Sequence, residues 1–309
     1  MLKIRKIFHI LENKFIDRFP DMGWVSDVVI LTGGTALGQV LAVIFSPIIT
    51  RIYSPADMGV LTVFLSIIGI ITVSAALSYD MAIPIPEDDN SAINLLALSL
   101  VILVIITIFV GGIVFFWGNQ FLSIFDAELL SGYEWLLPIG LLIVGLHSVF
   151  TYWAIREKTY KLIAKSKISK NIGMIATQVV LGLISANPLG LIIGQLVGFV
   201  SGASAIIRQL HNKSKNLISL ISIKRIKKVA FRYRRFPLLS SWSSLLNALG
   251  SQLPLLLISA IYGAEILGWM ALGQKVMVVP LSLIAKSVSQ VFFGEIADTA
   301  KQKNKSVLI

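Results

Sequence analysis

The chain has 309 residues, with 27 Lys and Arg against 16 Asp and Glu, a formal net charge of +11, and no cysteine. The missing cysteine excludes disulfides and thiolate metal sites. A strongly basic chain suggests a nucleic-acid partner. However, the basic residues lie in short segments between apolar runs and form no nucleic-acid-binding motif, so we expect no such partner.

Seven apolar stretches follow one another along the chain. They predict membrane-spanning helices, because a bilayer core of about 30 Å needs about 20 apolar residues per helix. Six are free of charge and the last is interrupted by Lys275 alone. They cover residues 28–50, 58–79, 90–125, 135–155, 171–207, 236–264 and 266–285.

Two of these stretches are longer than one span. The segments 156–170 and 208–235 are both strongly basic and should share one side of the membrane, so 171–207 must be a hairpin, with its turn at Asn187-Pro188. The same reasoning makes 90–125 a single crossing, from about Ser91 to Trp117, with the acidic run 87–89 capping its N-terminus. The sequence therefore predicts an all-α, polytopic membrane helix bundle of about eight transmembrane helices.

This topology places 25 of the 27 Lys and Arg residues on one side, which the positive-inside rule identifies as the cytoplasm. The exceptions are Arg51, at the outer end of the first span, and Lys275, within the eighth. The N-terminus is then cytoplasmic. Residues 1–25 carry charges throughout and lack the apolar core of a signal peptide. We expect them to lie on the inner membrane surface, with a frayed tail as the alternative.

A weak repeat relates the first two spans to the last two. The pattern Ile-Tyr, five residues, Gly starts at residue 52 and again at residue 261, so that Gly59 corresponds to Gly268. Six spans separate the copies, which gives them one orientation, as in transporters with a substrate site between two lobes. Tyr53 and Gly59 are therefore candidate structural or gating residues. Pro47 and Pro280 join them, because proline bends a membrane helix.

Two segments carry a resemblance to a known family: residues 50–59 (TRIYSPADMG) and residues 77–84 (LSYDMAIP). They resemble the bacterial polysaccharide exporters of the Wzx type, lipid-linked oligosaccharide flippases in the same superfamily as the multidrug MATE transporters. Arg235-Phe236-Pro237 and the segment 289–293 are similar to the family as well. Ser78 departs from the pattern, since relatives carry a basic residue before the Tyr-acid pair. Asp80, the acid of that pair, is a further candidate structural or gating residue.

The resemblance implies two six-helix lobes of MATE-like fold. The chain would then comprise an interfacial segment (1–25), an N-terminal lobe (26–208), a basic connector (209–237), two helices of a second lobe (238–286) and a cytoplasmic tail (287–309). It looks like a truncated member. We therefore expect it not to transport by itself, or to associate with a separately encoded remainder.

Lys275 is the leading candidate for binding a substrate. A cation near the middle of a span costs about 2.5 to 3.5 kcal/mol on insertion scales, and no carboxylate stands one turn away on the same helix. A wet cavity that takes an anion would explain it, with a lysine that snorkels to the interface as the alternative. We place Arg51 near the outer mouth of the same cavity. Gln39 and Gln274 could bind sugar hydroxyls or hold helices together.

No nucleophile motif, phosphate loop or metal-ligand spacing occurs, so we expect no enzyme activity, cofactor or metal. The resemblance implies a transporter of the bacterial inner membrane that flips or exports an undecaprenyl-diphosphate-linked oligosaccharide for O-antigen, capsule or exopolysaccharide assembly. Its partners would be the lipid bilayer, that anionic oligosaccharide and other polysaccharide assembly proteins. Two alternatives remain open: a MATE-type exporter of drugs or small solutes, and a membrane-embedded glycan polymerase or glycosyltransferase.

The absence of cysteine allows a direct test of the topology. Single cysteines at Ser131 and Ser214 fall on opposite sides of the predicted bundle. An impermeant thiol reagent added to intact cells should label the Ser131→Cys chain and leave the Ser214→Cys chain unlabelled until the cells are opened. Equal labelling, or the reverse pattern, would contradict the eight-span assignment.

Overall fold

A computed structural model describes the backbone of residues 23–124 and 130–306 and most of their side chains, the larger side-chain gaps being 209–216, 275–288 and 290–306. Every regular element in these residues is a helix, which confirms the predicted all-α class. The predicted interfacial segment, 1–25, lies almost wholly outside them. In chain order the helices are α1 (Gly23–Ile44), α2 (Ser46–Ile52), α3 (Pro55–Ala75), α4 (Tyr79–Ala82), α5 (Asp89–Ile124), α6 (Leu136–Arg156), α7 (Tyr160–Ile184), α8 (Pro188–Ile218), α9 (Ile223–Arg232) and α10 (Ser241–Ser306).

Six helices within the described residues are long and apolar enough to cross a membrane, which confirms a polytopic membrane protein. The predicted fifth span corresponds to the apolar half of α7, whose first half carries four lysines. The predicted eighth corresponds to the second half of α10, most of whose side chains are not described. The count of eight crossings therefore stays a prediction. The six helices are Ile30–Ile52, Pro55–Ala75, Asp89–Gly118, Leu136–Arg156, Pro188–Arg208 and Phe236–Gln274.

Three predicted helix boundaries are confirmed. α7 and α8 form the predicted hairpin, in which the Asn187 side chain caps α8 and Pro188 occupies its first turn. α5 loses helical geometry at Trp117, where the third span was predicted to end. At the start of α5, the Asp88 carboxylate accepts a hydrogen bond from the Ser91 N–H at 2.7 Å. This bond satisfies one of the N–H groups that a helix terminus leaves without a partner.

Other boundaries differ from the prediction. α7 begins at Tyr160, so most of the basic segment 156–170 is helix rather than loop. α8 runs to Ile218 and α9 follows, so the connector 209–237 is largely helical. α10 continues to Ser306, through most of the predicted tail. The reason is the same in each case: lysine and glutamine are good helix formers, so a charge ends an apolar run without ending the helix.

The helix of the first span is interrupted beside Pro47. α1 ends at Ile44, and α2 begins at Ser46 with Pro47 in its first turn. Proline has no N–H to donate to the carbonyl one turn back, so the helical ladder is interrupted there. This interruption separates the short α2 from α1 before the chain turns into α3.

The two copies of the repeat pack against each other. A Cβ on Gly59 would overlap the carbonyl oxygen of Ala264, and a Cβ on Gly268 would overlap the carbonyl oxygen of Pro55. Ala264 is the repeat counterpart of Pro55, as Gly268 is of Gly59, so the two contacts are reciprocal, as across a twofold axis. Gly263, with φ of 82°, divides α10 just before the contact. This packing supports the predicted parallel repeat.

Replacing Gly59 by alanine should loosen this contact. The added methyl group has backbone atoms in its way, so the two helices must separate, at a cost of about 1 to 3 kcal/mol. We expect a lower melting temperature for Gly59→Ala in detergent. Gly112→Ala is the matched control, because a Cβ there meets nothing within 4 Å and alanine favours helix by roughly 1 kcal/mol. Equal stability of the two variants would contradict the contact.

Candidate functional site

A cavity of about 1000 Å³ lies between α1, α3, α6, α7, α8 and the second half of α10. Its volume is at the upper end of the range of small-molecule sites, roughly 300 to 1,000 Å³. Gln274 and Ser289 of α10 line it together with Thr72 of α3. The second half of α10 therefore runs back along the bundle beyond Gly263. The cavity joins the N-terminal lobe to the segment predicted as the start of a second lobe.

One face of α7 supplies much of the polar lining. Lys167, Lys170, Asn171 and Gln178 all line the cavity, at spacings of three, four and seven residues that place them on one side of a helix. α7 is held in this orientation from two sides. Gly34 lets α1 approach the backbone of α7 closely on one side. The glycines of α8 let that helix approach α7 closely on the other side. Small residues of this kind let membrane helices pack backbone to backbone.

Two lysines bring positive charge to the cavity. The Nζ atom of Lys167 donates a hydrogen bond to Thr35 Oγ1 at 2.8 Å. The Nζ atom of Lys170 lies 3.3 Å from the ring centroid of Phe199, a cation–π contact, and His147 packs edge-on against the same ring. No Asp or Glu is among the described lining residues, so the charged groups of that lining are these two lysines. The cavity wall is thus suited to an anion.

These lysines were missed as site residues in the sequence because they were counted with a cytoplasmic loop. The signal that could have found them is the helical spacing of Lys167, Lys170, Asn171 and Gln178, which continues from the basic segment into the apolar run. Lys161 and Lys165, on the same helix, are exposed and do not line the cavity. The lysines of α7 therefore divide between two faces.

The predicted binding residues do not all meet at this cavity. Gln39 and Gln274 line it. Arg51 is exposed on α2 and is not among the described lining residues. The side chains of Lys275 and Pro280 lie outside the described residues, so their predicted roles stay predictions.

The predicted gating residues lie at opposite ends of the bundle. Tyr53 is 2% exposed, and its hydroxyl donates to the Gln178 carbonyl at 2.7 Å, which ties the α2–α3 turn to α7 near the Gly59 contact. Asp80 lies at the other end, in the short helix α4. Its Oδ2 atom accepts a hydrogen bond from the Ser148 hydroxyl at 3.1 Å, and Ser148 itself lines the cavity. A carboxyl group thus borders the cavity without being part of its described lining.

Burial raises the pKa of the Asp80 carboxyl above its ordinary value, because the charged form loses water. Hydrogen bonds from Ser148 and from the Met81 N–H favour the charged form and oppose this shift only in part. At pH values between the ordinary pKa and the raised one, Asp80 is more fully protonated in the folded protein than in the unfolded chain. The contribution of Asp80 to stability therefore falls as the pH rises through that interval.

Asp80→Asn should remove this pH dependence. We expect the variant to melt at a higher temperature than the parent at neutral pH, with the difference shrinking as the pH is lowered towards the ordinary carboxyl pKa. Ser148→Ala serves as the control, since it removes the hydrogen bond and keeps the carboxyl group, and it should retain the pH-dependent melting. A difference between the melting temperatures of Asp80→Asn and the parent that does not grow as the pH rises over this interval would show that burial does not control Asp80.

Comparison with known proteins agrees with this architecture at the level of a family. Comparison with curated proteins and with solved structures found no match. A family model described as polysaccharide biosynthesis protein matches residues 48–307, which include most of the cavity wall and both copies of the repeat. This match covers well over half of the chain, and the protein therefore belongs to the polysaccharide biosynthesis protein family.

Proposed function

We propose that the protein acts in the transport of an undecaprenyl-diphosphate-linked oligosaccharide across the bacterial inner membrane, by itself or with a second chain. The cavity lining is the observation that supports this proposal best. Lys167 and Lys170 would meet the diphosphate, since lysine binds phosphate as a point charge. Hydroxyl and amide groups, among them Gln39 and Gln195, would meet sugar hydroxyls. Cations and neutral polar groups in one cavity match a substrate that combines an anion with a glycan.

The proposed orientation follows from the charges. The end of the bundle where α6 ends, α7 begins and α9 lies carries most of the described basic residues, and we call it the basic end. The positive-inside rule favours the cytoplasm for this end, with the N-terminus on the same side. Lys167 and Lys170 lie in the half of α7 nearer the basic end, where a lipid-linked precursor made in the cytoplasm would enter.

We propose transport rather than catalysis for this site. A glycan polymerase or glycosyltransferase would need acidic or basic groups gathered around one reacting bond. The described polar groups instead spread over the walls of a cavity built from six helices. Such a distribution fits a substrate that is held and released unchanged.

One observation favours the alternative of a MATE-type exporter. Asp80, beside the cavity through Ser148, is a buried carboxyl of the kind that coupling to a cation would need. An exporter of cationic solutes would nevertheless have to accommodate them next to Lys167 and Lys170, and like charges repel in a medium of low dielectric. The lysines therefore favour an anionic substrate.

Binding of an isoprenyl diphosphate to the full chain tests the proposal. Geranylgeranyl diphosphate and the uncharged geranylgeraniol are titrated against the protein in nanodiscs of phosphatidylcholine. We expect the diphosphate to bind more tightly. The double variant Lys167→Gln/Lys170→Gln should weaken binding of the diphosphate by roughly tenfold per lysine. A tenfold change corresponds to the free energy of one hydrogen bond to a charged group.

The matched control is Lys161→Gln/Lys165→Gln, which removes the same charge from the exposed face of the same helix. It should bind the diphosphate as the parent does. Equal losses in both double variants, or equal affinity for the alcohol, would contradict a diphosphate site. Tighter binding of tetraphenylphosphonium than of the diphosphate, lost in Asp80→Asn, would favour the exporter instead.

A further inference from the structure

The helix α9, Ile223–Arg232, has two different faces. Lys224, Lys227 and Lys228 fall within one third of a turn of one another on the helical wheel and form what we call the lysine face. Val229 lies on the opposite side. All three lysines are exposed, whereas Val229 is 4% exposed. The helix is thus strongly amphipathic, although it is too short to cross a membrane.

The apolar side of α9 is already covered by the protein. Val229 belongs to the hydrophobic cluster at the basic end, and Ile226 and Ala230 pack against that cluster. The hydroxyl of Tyr79 donates to the Ala230 carbonyl at 3.0 Å. α9 therefore does not bury its apolar side in lipid, as a free interfacial helix would. It presents the lysine face outward instead.

Hydrogen bonds fix α9 at the level where the spans begin. The Asn94 side chain donates to the Leu220 carbonyl at 3.2 Å and accepts from the Ser222 N–H at 3.0 Å. Arg225 donates to Asn90 Oδ1 at 3.0 Å. Asn90 and Asn94 belong to the first turns of α5, which starts a candidate span. The lysine face is therefore held at the depth of the lipid headgroups.

Exposed apolar side chains lie beside the lysine face. Phe231, one turn after it, is 67% exposed, and the guanidinium of Arg234 lies 4.3 Å from its ring. Leu238, Leu239 and Trp242, where the next candidate span begins, are exposed as well. Cations interleaved with aromatic and aliphatic groups are the composition of a membrane interface.

Two of the nearby acidic residues, Asp88 and Asp89, interact with other cations. Asp89 forms an ion pair with Arg156 at 2.8 Å, and Asp88 interacts electrostatically with Arg232. No ion pair joins the lysine face to a described acidic residue. Within the part of the chain that the structure describes, its positive charge is therefore open to an anionic partner.

We propose that the lysine face, together with Phe231, binds the headgroups of acidic phospholipids in the leaflet at the basic end. A bilayer crossed by the candidate spans would have its headgroups at this depth, and anionic headgroups complement three adjacent lysines. Phe231 enters the interface beside them. This site is separate from the cavity and does not depend on which substrate the cavity carries.

The test uses the full chain in a neutral detergent. Dioctanoyl phosphatidylglycerol, dioctanoyl phosphatidylcholine, inorganic phosphate and a single-stranded oligonucleotide are each titrated, and dissociation constants are measured. We expect phosphatidylglycerol to bind at least tenfold more tightly than phosphatidylcholine. The triple variant Lys224→Gln/Lys227→Gln/Lys228→Gln should lose roughly fivefold in affinity per lysine, and the corresponding triple arginine variant should keep it.

The matched control is Lys158→Gln/Lys161→Gln/Lys165→Gln, which removes three charges from another part of the basic end. It should bind phosphatidylglycerol nearly as the parent does. All variants are checked for an unchanged melting temperature, which the exposure of these lysines predicts. Equal affinities for the two lipids, an equal loss in the control, displacement by millimolar phosphate, or tighter binding of the oligonucleotide would each overturn the proposal.

Discussion

Helices in a bilayer gain little hydrophobic free energy by leaving lipid for one another, so their association depends on how closely their backbones approach. In this protein glycines provide that approach at several interfaces. Gly59 and Gly268 join α3 to α10, Gly34 joins α1 to α7, and Gly198 joins α8 to α7. α7 is thereby held on two sides and cannot turn its polar face away from the interior. The cavity is a consequence of these contacts, because it occupies the space that this polar face and its neighbours enclose.

A cation within a membrane bundle costs about 2.5 to 3.5 kcal/mol at the middle of a span and less towards an interface. Lys167 and Lys170 reduce that cost in two ways. They stand in the half of α7 nearer the basic end, and they contact Thr35 and Phe199. A hydroxyl and an aromatic face stabilise an ammonium group while leaving its net charge in place. These two contacts are made with uncharged groups, so they do not themselves offset the positive charge of the cavity wall.

The sequence predicted the fold more completely than the site. The hairpin at Asn187, the break at Trp117 and the interruption beside Pro47 were predictable because proline, capping side chains and loop charge act locally. The correspondence of Gly59 with Gly268 was visible as a repeat, although only the packing shows that the copies touch. Lys167 was not predicted as a cavity residue, because the charge count assigned its whole basic segment to a loop, and the fold decides which face of a helix it occupies.

The positive-inside rule itself limits what basic residues can reveal about function. It requires cations at the cytoplasmic ends of spans whatever the protein does, so their number alone is not evidence for binding. The surroundings of each lysine distinguish the roles that it can have. Lys161 is exposed to one side of α7, Lys167 is turned into a polar cavity, and Lys227 is presented outward by a helix whose other side is already packed. A single surplus of charge can therefore orient the chain, attract an anionic substrate and anchor the bundle to acidic lipid, since each of these needs a different environment for the same side chain.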